Sequence, residues 1–495
     1  MARSAPLTRR EFARRLARQA AGAVALGGIG LQGRAAPASP AAAPAERRGV
    51  WRVTHLPRAL TSPVSTPPGE TWRYLIVYPF QVAPRLAGLS LNIKPSPGPG
   101  QDFPVGGDIL LFDDLQRLEP AEAIPLFRNH DAPNPHADGK LAHMTKPPAQ
   151  IGFVPWGARR ADGRPHPHAG TGFALTSPIA QPVDDSEGTL HFPDRIGRRS
   201  FTGSRSFRYL ECYQLRYDGR TFTGDAGKRF AAPPEVDGCL LRVGGMGAAI
   251  PDGDDLLIGM QAQRIGSDRL GAGLARWRRI DGEWRPVAFT LITPEDNSME
   301  PTLVRDLDGS LLFLARAPRH LGPPVRIWRQ AGTGGPWELR INVNGITNST
   351  PITLNQAADG TPYVLLNLRQ PDFRLPPDVP SDGGISRLEP KGRRGERSTI
   401  CLLALNEARD GFCTPLIVKD PLVDYGVPPH GTVWAADHAT GSVVQLADGQ
   451  WHGVFGYRLL EWIENTHFAP PTPQTGCYLD EVISLGPPRP PWNLG

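Results

Sequence analysis

Apolar residues along this chain come in short runs, and turn-forming pairs separate the runs. Trp72-Arg-Tyr-Leu-Ile-Val-Tyr78 predicts a strand, and from about residue 105 onward runs of similar length recur between Asp-Gly, Gly-Gly and Pro-Gly pairs. Asp-Gly occurs eleven times, beginning at Asp138, Asp162, Asp218, Asp237, Asp252, Asp281, Asp308, Asp359, Asp382, Asp410 and Asp448. Many of these pairs lie between two strand-like runs, where glycine supplies the positive φ of a tight antiparallel hairpin. Leu274 to Ile280, Asp281-Gly282 and Glu283 to Val287 form one such predicted hairpin, and Ser442 to Ala447, Asp448-Gly449 and Gln450 to Phe455 form another. Beyond the first 45 residues no segment shows a sustained helical period with caps at both ends.

The second half repeats. An apolar strand, an Asp-Gly turn and an inner strand ending in Arg or Asn recur with their Asp at 308, 359 and 410, a spacing of 51 residues. Units of roughly 40–60 residues made of four short strands are propeller blades. The expectation is therefore an all-β chain, a six- or seven-bladed β-propeller over 105–495, preceded by a Pro-rich segment with its first strand over 46–104; a pair of β-sandwiches is the alternative. Composition agrees, because 55 Gly and 54 Pro in 495 residues leave little room for helix, while 40% apolar residues suffice for a large core.

Charge narrows the partners. The chain carries a net +5, but residues 1–45 hold seven Arg against Glu11 alone, or +6, which leaves the remainder at −1. A near-neutral body without a long basic run excludes nucleic acid as the leading partner. Thr8-Arg9-Arg10-Glu11-Phe12, the mild apolar run Ala20–Leu31 and the Ala-Pro-Ala triplets ending at Ala38 and Ala45 resemble a twin-arginine export signal over residues 1–45. That resemblance implies the twin-arginine translocase as an export partner and a periplasmic or secreted location. No later apolar run is long enough to span a membrane as a helix.

Asn297-Ser-Met-Glu300-Pro301-Thr and Asp308-Gly309-Ser-Leu-Leu-Phe-Leu-Ala-Arg316 resemble the E-P-x and D-G-x-L-L-x-x-x-R segment of the sialidase-like, BNR-repeat propeller superfamily. The resemblance implies Glu300 as the residue that polarises a tyrosine nucleophile, Tyr425 or Tyr457, and Arg316 as a clamp on a substrate carboxylate, with Arg369 one blade later as a second clamp. Planar bidentate pairing is why arginine suits that role. No first clamp arginine, Asp-box or acid/base Asp is found by motif. The implied activity is glycoside hydrolysis of an acidic oligo- or polysaccharide.

A second constellation lies earlier. His130, His136, His143, His166 and His168 are five of the twelve histidines, and Tyr209, Glu211 and Tyr213 alternate along one strand face with Arg229 nearby. Their composition is similar to the His, Tyr and Arg sites of propeller polysaccharide lyases, which implies His143, His168 and Tyr213 as proton-transfer groups and Arg229 and His166 as binders of a uronate. A propeller that binds glycan or protein without catalysis is the third reading. The five cysteines are too few for a disulfide scaffold. No cofactor is expected, although Cys401, Cys413 and Cys477 with His430, His438 or His467 could close a structural zinc site.

Overall fold

The computed structural model describes residues 48–56, 72–95, 98–99, 106–117, 122–128, 130–133, 141–145, 150–176, 179–182, 207–208, 210–225, 228–229, 234–317, 323–332, 334–347, 350–368, 397–430, 433–464 and 467–494. Their strands form six antiparallel blades. Blade 1 is Trp72–Ala83, Leu86–Pro95, Gly106–Phe112 and Glu122–Arg128; blade 2 is built on Gln150–Val154, Thr171–Thr176, Glu211–Tyr217 and Phe222–Gly224. Blade 3 has an interrupted innermost strand, Cys239–Gly244 with Ile250–Asp252, followed by Asp255–Arg264, Leu270–Ile280 and Glu283–Leu291. Blade 4 is Met299–Arg305, Leu311–Arg316, Val325–Gln330 and Trp337–Val343, and blade 5 is Thr353–Gln356, Pro362–Asn367, Ile400–Ala404 and Leu416–Lys419. Among the described residues the helix is a single turn or so, Pro421–Tyr425.

The sixth blade closes the ring. Val433–Gln445, Trp451–Glu464 and Gly476–Ser484 are completed by Val50–His55, which pairs antiparallel with Gly476–Ser484. Joining the two ends of the chain in one sheet removes the open edges that an unclosed ring would expose. The boundary expected at residue 105 therefore falls inside blade 1, and part of the Pro-rich segment belongs to the ring. Six blades form, within the expected six or seven.

Asp308-Gly309 and Asp359-Gly360 each turn between the first two strands of a blade, whereas Asp410-Gly411 lies between the third and fourth strands of blade 5, so the 51-residue spacing is a blade period only from 308 to 359. Asp281 and Gly282 have φ of 51° and 84°, joining Ile280 to Glu283 in a hairpin whose two turn residues are both left-handed. Asp237 and Gly238, at 49° and 72°, do the same between Val236 and Cys239.

The innermost strands run in one direction along the axis, tied blade to blade. Thr440 donates to the Val77 carbonyl and the Gln445 amide to Gln81, the Gly441 amide to Asn355, the Leu354 amide to Thr302, and Gln356 to the Arg305 carbonyl. The Met246 amide donates to the Pro301 carbonyl at 3.0 Å. The neighbouring Gly245 is required there, since a Cβ would meet the Pro301 oxygen at 2.0 Å. The ring thus has a start end, where innermost strands begin, and a finish end. Apolar clusters fill the spaces between blades, such as Phe173 of blade 2 stacked on Trp277 of blade 3 at 4.5 Å.

Chain leaving blade 1 at its start end enters an additional four-stranded sheet, His130–Pro133, Leu141–Thr145, Ile179–Pro182 and Phe207–Arg208. At the finish end, residues 486–494 cross the ring. The Gly486 amide donates to Asp359, Arg489 to the Ala358 carbonyl, and the Arg159 amide to the Asn493 carbonyl.

Candidate active site

Glu300 and Arg316 face each other across the first two strands of blade 4, in the register that pairs Met299 with Arg316. A bulge between Met299 and Thr302 turns Glu300 to a φ of 52°, a left-handed conformation that costs a non-glycine residue of order 1 kcal/mol. The bulge aims its carboxylate at the Arg316 guanidinium, with Oε2 3.1 Å from Nε. Arg316 is buried at 2% exposure, and its Nη2 also reaches the Met299 sulfur at 2.6 Å. A guanidinium so placed is stable only with charge and hydrogen-bond partners around it.

A second irregularity on the innermost strand of blade 6 repeats the device. Pairing shifts between Asp437 and Thr440, and His438 takes a φ of 54°. Asp437 is fully buried between two arginines. Arg458 Nε donates to Oδ1 at 2.5 Å and its Nη2 to Oδ2 at 3.1 Å, while Arg397 Nη1 donates to Oδ2 at 2.7 Å. Arg397 is held in turn by blade 6, since the Ala436 amide donates to its carbonyl at 2.7 Å and Ser398 donates to the Trp434 carbonyl at 2.7 Å. Burial pushes the Asp437 carboxyl up, but Arg458, His438 and Arg397 outweigh it and hold the group well below the usual carboxylate range. Burial first, and then Arg458, lower His438 to about 4, so its ring is neutral at pH 7 despite lying 3.0 Å from an Asp437 oxygen.

Tyr78, on the innermost strand of blade 1, joins the two centres. It is buried beside Met246, and burial and then the Glu300 charge raise its phenol, against the opposing field of Arg458. Tyr78 therefore lies within electrostatic reach of Glu300 from blade 4 and of Arg458 from blade 6. The Tyr78 phenol thus feels a carboxylate from blade 4 and a guanidinium from blade 6, groups of the kind that polarise a phenol and neutralise an anion.

Of the residues expected from sequence, Glu300 and Arg316 are brought together. Tyr425 is on the short helix beside the outermost strand of blade 5, where its hydroxyl accepts from Lys419 at 2.8 Å and its ring meets Trp434 edge-on. Tyr457 is stacked on Tyr478 at 5.3 Å, on the strand face opposite Arg458. Arg369 lies outside the described residues.

The His, Tyr and Arg constellation is divided between the ends of the ring. His143 is on the additional sheet at the start end, whereas His166 and His168 occupy the loop after Gln150–Val154 at the finish end. Tyr213 is buried against Phe127 and donates to Glu211 at 2.8 Å, and Arg229 pairs by backbone with Glu211. The three cysteines are also apart. Cys401 lies in the core of blades 4 and 5, Cys477 in the core between blades 6 and 1, and Cys413 is exposed. Among the described residues no three His, Cys, Asp or Glu side chains form a metal-binding group.

Arg397, Asp437, Arg458 and Tyr78 are not marked as site residues by any motif in the sequence, and His438, a candidate zinc ligand there, stands beside Asp437 instead. One signal was present, the lone charge within the apolar run Val454-Phe-Gly-Tyr-Arg458-Leu-Leu. A buried strand does not carry a charge without a partner.

No protein-family profile and no curated protein matches the sequence. Solved structures do resemble it in fold. A protein of unknown function from Dyadobacter fermentans aligns with a TM-score of 0.50 at 12% identity, over 87% of this chain and 99% of that one. A mutant of the NanB sialidase from Streptococcus pneumoniae aligns at 0.48 and 9%, over 87% of this chain and 70% of that one. An alpha-L-arabinanase from Penicillium chrysogenum aligns at 0.43 and 12%, over 88% and 99%. At such identities the likeness concerns the fold alone.

Proposed function

We propose that this protein is an exported carbohydrate-active propeller that hydrolyses an acidic glycan at the start end of its axis. The observation that carries the reading is the Glu300–Arg316 pair at 3.1 Å, built on a strained bulge within electrostatic reach of Tyr78. Left-handed non-glycine residues persist where the surrounding structure over-determines them, and such positions cluster at functional sites. In this reading Arg316 neutralises the substrate carboxylate and Tyr78 is the nucleophile. A buried neutral phenol attacks poorly, so the Glu300 carboxylate takes the phenolic proton as Tyr78 bonds to the anomeric carbon and the bond from that carbon to the aglycone oxygen breaks, the departing oxygen taking its proton from solvent water. Water then attacks the anomeric carbon, its hydroxyl forming the new bond and its other proton returning to solvent, while the aryl glycosidic bond to Tyr78 breaks and Glu300 returns the proton to the phenolate oxygen.

The near-complete burial of Arg316, Arg397 and Arg458 supports a second reading, a binding scaffold without catalysis in which Arg397 ties blade 5 to Asp437 of blade 6 while Arg316 and Arg458 brace blades 4 and 6 from within. Incubation with a sialoside and with uronate oligosaccharides, with and without Glu300→Gln, separates the two. Release of reducing sugar by the wild type, lowered on the order of a hundredfold or more in Glu300→Gln with an unchanged melting temperature, supports hydrolysis. Absence of turnover on every acidic glycan favours the scaffold.

A further inference from the structure

The finish end of the ring holds a cavity of about 580 Å3, far from Glu300, formed by three segments distant in sequence. Its walls include Arg159, Arg160 and His166 from the blade 2 loop, Asp254 from a blade 3 turn, and Pro491 and Trp492 from the crossing segment 486–494. The size falls within the roughly 300–1,000 Å3 of small-molecule sites. The walls are fixed by backbone bonds, Arg159 to Asn493, His166 to Ala158 and Arg160 to Arg164, so the cavity needs no ordering of loops to exist.

Its chemistry narrows the ligand. Arg160 donates Nε to Asp254 Oδ1 at 2.8 Å and Nη2 to Oδ2, Arg159 donates to the Gly163 carbonyl at 2.9 Å, and Asp162 is held by Arg164. Two arginines and two aspartates on the walls leave no net field for an anion. His166 is a poor metal ligand here, since Nε2 donates to the Gly253 carbonyl at 3.1 Å and Nδ1 accepts the His168 amide at 3.2 Å. Burial lowers its pKa in keeping with that neutral tautomer. The fork with Asp254 uses two of the three Arg160 nitrogens and one lone pair on each Asp254 oxygen, so the pair still offers donors and acceptors side by side. A vicinal diol, each hydroxyl both donor and acceptor, matches that edge, and half-buried Pro491 with the narrow exposed edge of Trp492, 8% of its surface, supplies a small apolar contact for the C–H face of a ring.

We propose that this cavity binds a neutral oligosaccharide, as a second carbohydrate site on the face opposite Glu300. It stands independently of any hydrolase activity. The test is calorimetric titration of the full mature chain with lactose, maltose and cellobiose. At least one sugar should bind with Kd below about 10 mM. Arg160→Gln and Asp254→Asn should each weaken that binding at least tenfold, while Arg316→Ala retains it. No binding of any of the three, wild-type affinity in both variants, or loss of binding in an Arg316→Ala chain that still melts cooperatively would overturn the proposal. If both variants fail to fold, radical footprinting of the wild type decides: sugar-dependent protection of the partly exposed Arg160 and Pro491 supports the site, and its absence refutes it.

Discussion

Glu300 and His438 are non-glycine residues held at positive φ beside the axis, and each stands next to a buried arginine. His438 gives the clearest prediction. Its proton binds near pH 4 in the fold but near 6.5 in the unfolded chain, so as pH falls the unfolded state takes up the proton first. Stability from the neutral ring is thus present above pH 6.5 and lost toward pH 4. His452 acts oppositely, because Glu481 and Asp448 raise it against burial, so the comparison must be with a variant. Asn tolerates a left-handed φ, and His438→Asn should lose about 2 kcal/mol less than the wild type between pH 6.5 and 4 in urea titrations. Parallel pH curves would show that His438 titrates normally. Asp437→Ala should cost about 3–5 kcal/mol, since it removes the carboxylate between Arg397 and Arg458; a loss under 1 kcal/mol in the same titration would show that other groups neutralise them.

At the scale of elements, the ring depends on Val50–His55. That strand supplies the outer edge of blade 6 and the His55–Asp480 pair at 2.8 Å. Deleting residues 48–56 should lower the melting temperature by roughly 10 °C or more, and an unchanged melt would place ring closure elsewhere. The blades themselves were legible in the sequence because an Asp-Gly hairpin needs only adjacent residues. The closing strand was not, since its partner lies more than 400 positions away and its own residues alternate without a strong apolar face. The site divides the same way. Glu300 and Arg316 belong to one hairpin and could be read locally, whereas Arg397 meets Asp437 and Arg458 only when blades 5 and 6 pack together, and Tyr78 comes from blade 1. The histidine cluster misled for the converse reason: residues close in sequence left opposite ends of the ring.

For the whole molecule, the proposal joins export, a six-bladed ring and an acidic ligand. Replacing Arg9 and Arg10 together by Lys should leave unprocessed precursor in the cytoplasm, seen by fractionation and immunoblotting, whereas mature protein outside would point to another route. The central claim is that Arg316 faces an anionic sugar rather than serving only its neighbours. Calorimetric titration with a sialoside and a uronate oligosaccharide, comparing wild type with Arg316→Ala, tests it most directly. Saturable binding of one of them by the wild type, weakened at least tenfold in a variant that still melts cooperatively, is the predicted result. A wild type without affinity for either, together with an Arg316→Ala chain that unfolds, would contradict it.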